Sequence, residues 1–269
     1  MGGDFDEKGM KRPHKRFFIS KRRIHNQAGQ LVADLDRDLV HHIRTVLRIG
    51  PGAKITLFDG TGREYPCEII SSTPNKVVAK ILEQTFPKTE SKLLITLCQA
   101  ILKEQAFDRV LTSATELGAT KIIPVLSNRV VVKIVAKEID KKMFRWEKIV
   151  QEAAGQSGRV VPPSITYPMA FADLLKEKFS IEGEGGSEAS KFLLWEKAKA
   201  GETKLLLKNA QAQNVTILIG PEGGFEDEEA NAAIASGFIP IGLGPRILRA
   251  ETAPIAAISI IQHLFGDLS

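Results

Sequence analysis

Cysteine is scarce: the 269 residues hold two, Cys67 and Cys98, far apart and outside any CxxC spacing. A disulfide framework is excluded, and two buried thiols suit a reducing cytosol. Long apolar runs are missing too. None approaches the roughly 20 residues that a membrane-spanning helix needs. The basic start of the chain has no apolar segment behind it, so no secretory signal is expected. There is no internal repeat and no low-complexity tract. A chain of this size buries roughly 70–75% of its unfolded surface, so it needs neither a disulfide nor a metal staple. No metal site is expected.

What is present is charge, unevenly placed. The net charge is +5, and residues 1–85 carry all of it, with 15 Lys and Arg against 10 Asp and Glu. Within them "KGMKRPHKRFFISKRR" (8–23) has eight basic residues and no acid, interrupted by Phe17 and Phe18. Such a run is either solvated surface or a polyanion-binding face, and nucleic acid is the expected polyanion. Charge alone would give salt-dependent, poorly specific binding.

The chain reads as two parts. In "DLDRDLVHHIRTVLRIG" (34–50), Leu39, Ile43, Val46 and Leu47 share a helical face. Aspartates lie near its start, where the helix dipole favours them, and Gly50-Pro51-Gly52 ends it. "AKITLFDG", "EYPCEIIS" and "KVVAKILEQ" follow as short strands between turn signals, the pattern of a small barrel. "QTFPKTESK" (84–92) reads as a linker. "KLLITLCQAI" then opens the second part as a buried strand. In "EQAFDRVLTSATELG" (104–118), Phe107, Val110, Leu111, Ala114 and Leu117 form a helical stripe that Gly118 stops. "KIIPVL" (121–126) is the next strand, and a long helix runs from about 138 to 155. "SIEGEGGSEASK" (180–191) reads as a flexible loop. Strand-like runs follow at 191–195, 215–220 and 238–244. Alternating strands and helices predict an α/β fold with a parallel sheet covered on both faces.

In open α/β sheets the ligand lies beyond the carboxyl ends of the strands. Those ends are Trp195-Glu196, Gly220-Pro221-Glu222-Gly223-Gly224 and Leu243-Gly244-Pro245, which together form one candidate site. The second resembles a phosphate cradle, but three features oppose that reading. The string GxxxxGK[ST] is absent. Gly242-Leu243-Gly244 starts a GxGxxG loop but fails at Ile247. Residues 222–229 hold five acids and no base. These carboxylates outweigh the attraction of a helix N-terminus for an anion, about 0.3–1 kcal/mol per charge. Glu226 to Glu229 are expected to stabilise the start of a helix, and a neutral or cationic ligand fits the loop better. "LGPRILRAETAPIAAISIIQHLF" (243–265) predicts a buried C-terminal helix carrying Ile255, Ile258 and Leu264, with Glu251 near its start and Arg246 and Arg249 just before it.

These motifs together resemble the RsmE family, through "LIGPEGG" and "LGPRILRAETA". Further matches are "HHIRTVLRIGPGAKITLFDG" (41–60), "TELGATKIIPVLSNR" (115–129), "QEAAGQSGR" (151–159) and "FGDL" (265–268). The likeness spans residues 15–268, and the first 14 residues match nothing. It implies a cytoplasmic homodimer that methylates N3 of a uridine in small-subunit (16S) ribosomal RNA with S-adenosylmethionine. It implies a PUA-like RNA-binding barrel at 15–85 and a SPOUT methyltransferase domain at 92–269. The SPOUT domain would thread a trefoil knot, which topology rules alone would reject. Cofactor contacts would fall on Leu194, Trp195, Ile219, Gly220, Pro221, Glu222, Gly223, Gly224, Leu243, Gly244, Leu248, Arg249, Thr252 and Ala253.

Uridine N3 carries a proton that must leave, so the site needs a base or cationic stabilisation of the ring. Arg249 is the expected stabiliser of charge on the uracil oxygens, and Glu251 either the base or the group that orients Arg249. Arg16, Arg44 and Arg48 are expected RNA contacts, the last two on one helix face at a spacing of four. Arg159 is expected to reach the RNA or the partner subunit's pocket. The rival readings are a SPOUT enzyme acting on a ribose 2′-hydroxyl or another base, and a non-catalytic RNA-binding assembly factor.

Overall fold

In the computed structural model, residues 15–130, 136–179, 189–198 and 213–268 are described. Two units divide the chain between Glu90 and Ser91, and Ala154–Val161 belongs with the first of them.

The first unit is built on a six-stranded sheet. Its strands are β1 (Arg16–Phe18), β2 (Ile24–Gln27), β3 (Gln30–Asp34), β4 (Lys54–Phe58), β5 (Glu64–Ser72) and β6 (Val77–Ile81), in the order β1-β4-β5-β6-β3-β2. Every pairing is antiparallel except β1 with β4. The three strands of the second half match the sequence expectation. The three before the helix do not follow from it: β1 lies inside the basic run, and β2, with the sequence IHNQ, has no apolar alternation. Phe17 and Phe18 lie in β1 and pack edge-on against His42 and Phe58, so they are not free to stack on bases.

Helix α1 (Arg37–His41) is capped by Asp36, whose carboxylate accepts from the Leu39 N–H at 2.8 Å. The helix then widens into a π turn over His42–Val46. That extra residue rotates the face. Val40 and Ile43 are buried, whereas Val46, expected on the apolar stripe, is 61% exposed. Arg48 has a φ of +51° and closes the end in the left-handed region. It lies beyond the helix, so Arg44 and Arg48 do not share a helical face.

The second unit holds β7 (Leu94–Ala100), α2 (Glu104–Glu116), β8 (Lys121–Leu126), β9 (Ser164–Ile165), β10 (Met169–Ala170) and α4 (Phe171–Leu174), with α3 (Ile139–Ser157) before β9. It continues with β11 (Ser190–Leu194), β12 (Asn214–Ile219), α5 (Asp227–Ala235), β13 (Ile239–Ile241) and α6 (Ala253–Phe265). The main order is β10-β8-β7-β12-β11-β13, all parallel, with β9 also on β8. Residues of β12 alternate between two cores. Ile217 faces Phe107, Trp146 and Ile258, while Leu218 faces Phe225, Ala230 and Phe171. Both faces are covered, as a parallel sheet requires.

The stripe of α2 is buried at Phe107, Val110, Leu111 and Ala114, and Gly118 stops the helix at a φ of +88°. In α6 the buried residues are Pro254, Ala257, Ile258, Ile261 and Gln262. Ile255 and Leu264, expected inside, are exposed. The helix is more apolar than its buried face requires, which hides the true stripe in the sequence. Most of the expected loop at 180–191 lies outside the described residues. Both cysteines are free and buried, and burial raises both thiols, Cys67 to about 12. Among the described residues no helix is long and apolar enough to cross a membrane.

Candidate active site

In the strand order the chain leaving β7 goes to β8 on one side, and the chain leaving β12 goes to β13 on the other. A crevice at the carboxyl ends is the consequence. Leu194 pairs with both Ile219 and Ile241, which sets Trp195, Gly220 and Gly242 side by side at three strand ends. They border an open cleft of about 680 Å³, which Lys103 and Ala106 also line.

The wall at 220–224 is shaped by close approach. A Cβ on Gly220 would lie 3.2 Å from the Phe225 ring. Gly224 has a φ of +67°, and its N–H donates to the Pro221 carbonyl at 2.9 Å, closing the turn. The loop is also held from outside. Gln99 Nε2 donates to the Gly220 carbonyl at 3.2 Å, and Glu222 Oε1 accepts from the Lys103 N–H at 3.1 Å. The acids that follow are occupied as expected. Glu226 and Glu229 form a reciprocal capping box on α5, and Glu229 Oε1 also accepts from the Asn128 N–H at 2.9 Å. Asp227 pairs with Lys197. Arg129 Nη1 donates to the Gly223 carbonyl at 2.9 Å, bracing the loop's outer side.

The segment from Leu243 to Ala253 forms the opposite rim. Ile247 is 87% exposed. The Arg249 side chain is 84% exposed, and its Nη1 lies 4.0 Å from Glu251 Oε1, whose side chain is 20% exposed. This is a loose ion pair that a ligand can rearrange. The Arg249 carbonyl accepts from Thr252 and Ala253 N–H groups at 2.9 Å, fixing the backbone under both side chains. Of the expected cofactor contacts, all line the cleft except Thr252, which precedes α6 and faces solvent.

Residues 89–262 match a family model described as an RNA methyltransferase domain, and residues 35–82 match an RNA methyltransferase PUA domain. The chain is 34% identical to the ribosomal RNA small subunit methyltransferase E of Buchnera aphidicola subsp. Schizaphis graminum, over 90% of this chain and 94% of that one. It is 32% identical to the protein of the same name from Bacillus subtilis, over 83% and 87%. The chain belongs to the ribosomal RNA small subunit methyltransferase E family. A family member from Neisseria gonorrhoeae, solved bound to S-adenosyl methionine, matches with a TM-score of 0.79 at 32% identity, over 95% of this chain and all (100%) of that one. The fold is accordingly a PUA-like unit followed by a SPOUT-type parallel sheet.

Arg16, expected at the RNA, and Arg159, expected at the RNA or the partner subunit's pocket, both have carboxylate partners within the first unit. Arg16 Nη1 pairs with Glu64 at 2.5 Å, and its Nη2 donates to the Gly158 and Arg159 carbonyls. Arg159 is 5% exposed and donates through Nε and Nη2 to Glu90 Oε2 at 2.9 and 2.8 Å. The other Glu90 oxygen accepts from the N–H groups of Val160 and Val161. These bonds hold 154–161 in the first unit, a folding role that a basic residue type conceals in the sequence. Arg44 and Arg48 are exposed. Two residues, Gln99 and Lys103, escaped the sequence reading, whereas Glu196 entered it only as part of a strand end. The strand-end rule applied to β7 would have found the first two. Glu196 stands at a recognised strand end and carries no motif of its own.

Proposed function

We propose that this chain transfers the methyl group of S-adenosylmethionine to N3 of a uridine in small-subunit (16S) ribosomal RNA, as a cytoplasmic homodimer. The observation that carries the reading is the convergence of three strand ends on one cleft with Arg249 and Glu251 on its rim. The names of the relatives and the S-adenosyl methionine held by the Neisseria structure support it. The fit is chemical as well. The glycine wall brings backbone close, carries Glu222 and no cation, and so suits a sulfonium better than a pyrophosphate.

Bound there, S-adenosylmethionine supplies an electrophilic methyl group. The chain's own residues then have three tasks. The cleft walls fix the ring edge in line with the methyl, and such positioning supplies roughly 7–11 kcal/mol in favourable cases. The Arg249 guanidinium stabilises negative charge spreading onto the uracil oxygens as N3 loses its proton. The Glu251 carboxylate either takes that proton or holds Arg249 in place. A paired Watson–Crick edge cannot react, so the RNA must present the base unpaired. Arg44 and Arg48 supply phosphate contacts in the first unit. The exposed Ile247, Ile255, Ile260 and Leu264 favour burial against a second copy.

The deciding experiment uses small subunits from a strain lacking the activity. Nuclease digestion and mass analysis should show one methyl on a uracil base. A methyl on ribose, or saturable RNA binding without methyl transfer, would overturn the proposal.

A further inference from the structure

The cleft contains three carboxylates, Glu196, Glu222 and Glu251. Glu222 accepts from Lys103, and Glu251 faces Arg249. Glu196 differs from both. It follows Trp195 at the end of β11, is exposed, and accepts no hydrogen bond and makes no ion pair among the described residues. The cation beside it in sequence is turned elsewhere, because Lys197 pairs with Asp227 and lies over the Trp195 ring. Both Glu196 oxygens lie along Gly224. A Cβ built there would sit 3.3 Å from Oε1 and 3.6 Å from Oε2. The left-handed glycine therefore leaves room for a carboxylate edge to stand against the backbone wall of the cleft.

An ionised carboxylate offers two acceptor oxygens and no donor. Its natural partner in a nucleoside site is a pair of hydroxyl donors, as when a carboxylate at a strand end holds a ribose in dinucleotide-binding sheets. We infer that Glu196 accepts the vicinal 2′- and 3′-hydroxyls of the cofactor's ribose and so sets the nucleoside's position along the glycine wall. This rests on the cofactor reading above and names a contact within it. The role is one of binding and positioning, with no part in the proton transfer.

The test is calorimetric, on the full chain. S-adenosylmethionine, S-adenosylhomocysteine and 5′-methylthioadenosine share the ribose but differ in charge at sulfur and in the amino-acid tail. Glu196→Gln and Glu196→Ala should weaken all three by a similar factor, about ten-fold or more for loss of a charge-assisted bond. Ligand-free melting should stay unchanged, since the side chain is exposed. Unaltered affinity for all three overturns the inference. So does a loss confined to S-adenosylmethionine, which would mean that Glu196 reads the sulfonium charge. Lost methyl transfer with intact affinities would make it a base and also overturn it. If the unmodified protein binds none of the three, the cofactor reading itself fails, which separates the two failures.

Discussion

The fully buried side-chain amide of Gln99 donates to the carbonyl of Gly220 at 3.2 Å, and also to the Ala100 carbonyl at 3.1 Å. Gln99 is paired in register with Ile219, so this bond fixes where the chain leaves β12 for the cleft. Gln99→Leu removes the donor and leaves the Gly220 carbonyl without it, at a cost of about 1–3 kcal/mol. The expected outcome is a lower denaturant midpoint together with a weaker affinity for S-adenosylmethionine. Unchanged affinity would show that the loop needs no support from β7.

Gly223 and Gly224 separate two uses of glycine. Gly224→Ala forces a side chain to a φ of +67° and puts its methyl 3.3 Å from Glu196. Strain of about 1–2 kcal/mol and a distorted wall follow. Gly223→Ala meets only ordinary contacts with Arg129, at 3.5 Å and beyond. Cofactor titration should show a large loss for the first and a small one for the second. Equal losses would place the constraint in ligand contact rather than in backbone geometry.

Arg249 and Glu251 divide the chemistry. Because the Arg249 side chain is 84% exposed, Arg249→Ala should leave folding stability within about 0.5 kcal/mol. Methyl transfer should fall about 100-fold or more. Glu251→Gln should remove the acidic limb of the rate-against-pH profile if Glu251 is the base. A profile of unchanged shape at a lower rate would assign it the orienting role.

In the first unit, Arg16→Ala should destabilise by on the order of 3 kcal/mol, because it strands the poorly exposed Glu64 carboxylate. Arg44→Ala and Arg48→Ala should barely affect melting. Each should weaken RNA binding and lower the salt slope by about one unit. An Arg16 variant that folds normally but loses RNA affinity would reverse the assignment.

Asp59 gives this unit an acid limit. Burial alone would raise its carboxyl, but bonds from the Thr61 hydroxyl and amide and from Tyr65, with the charge of Arg63, together hold it below the ordinary 3.8. A depressed carboxyl adds stability that is complete above its unfolded value and is lost as pH falls through the folded one. Unfolding measured across pH 5 to 2 should therefore lose a component in Asp59→Asn that the unmodified protein keeps. Identical pH slopes would show that Asp59 contributes nothing.

The elements whose signals are local were legible in the amino-acid order. The stripe on α2, the strand KIIPVL, the stop at Gly118 and the three strand ends, two of them bearing glycine, each depend on neighbours within one or two turns. Sheet order then brought those ends together, and the expected cofactor contacts other than Thr252 met in one cleft. The role of each charge, by contrast, depended on long-range packing. Arg16 and Arg159 read as RNA contacts, yet their partners lie 48 and 69 residues away. No local pattern can show whether a guanidinium finds a carboxylate inside the fold. The π turn after α1 likewise moved Val46 outward, because one extra residue in a turn rotates every later side chain and leaves the composition unchanged. Glu196 is the converse case: an ordinary acid in the sequence, given a place in the cleft by the glycine across from it.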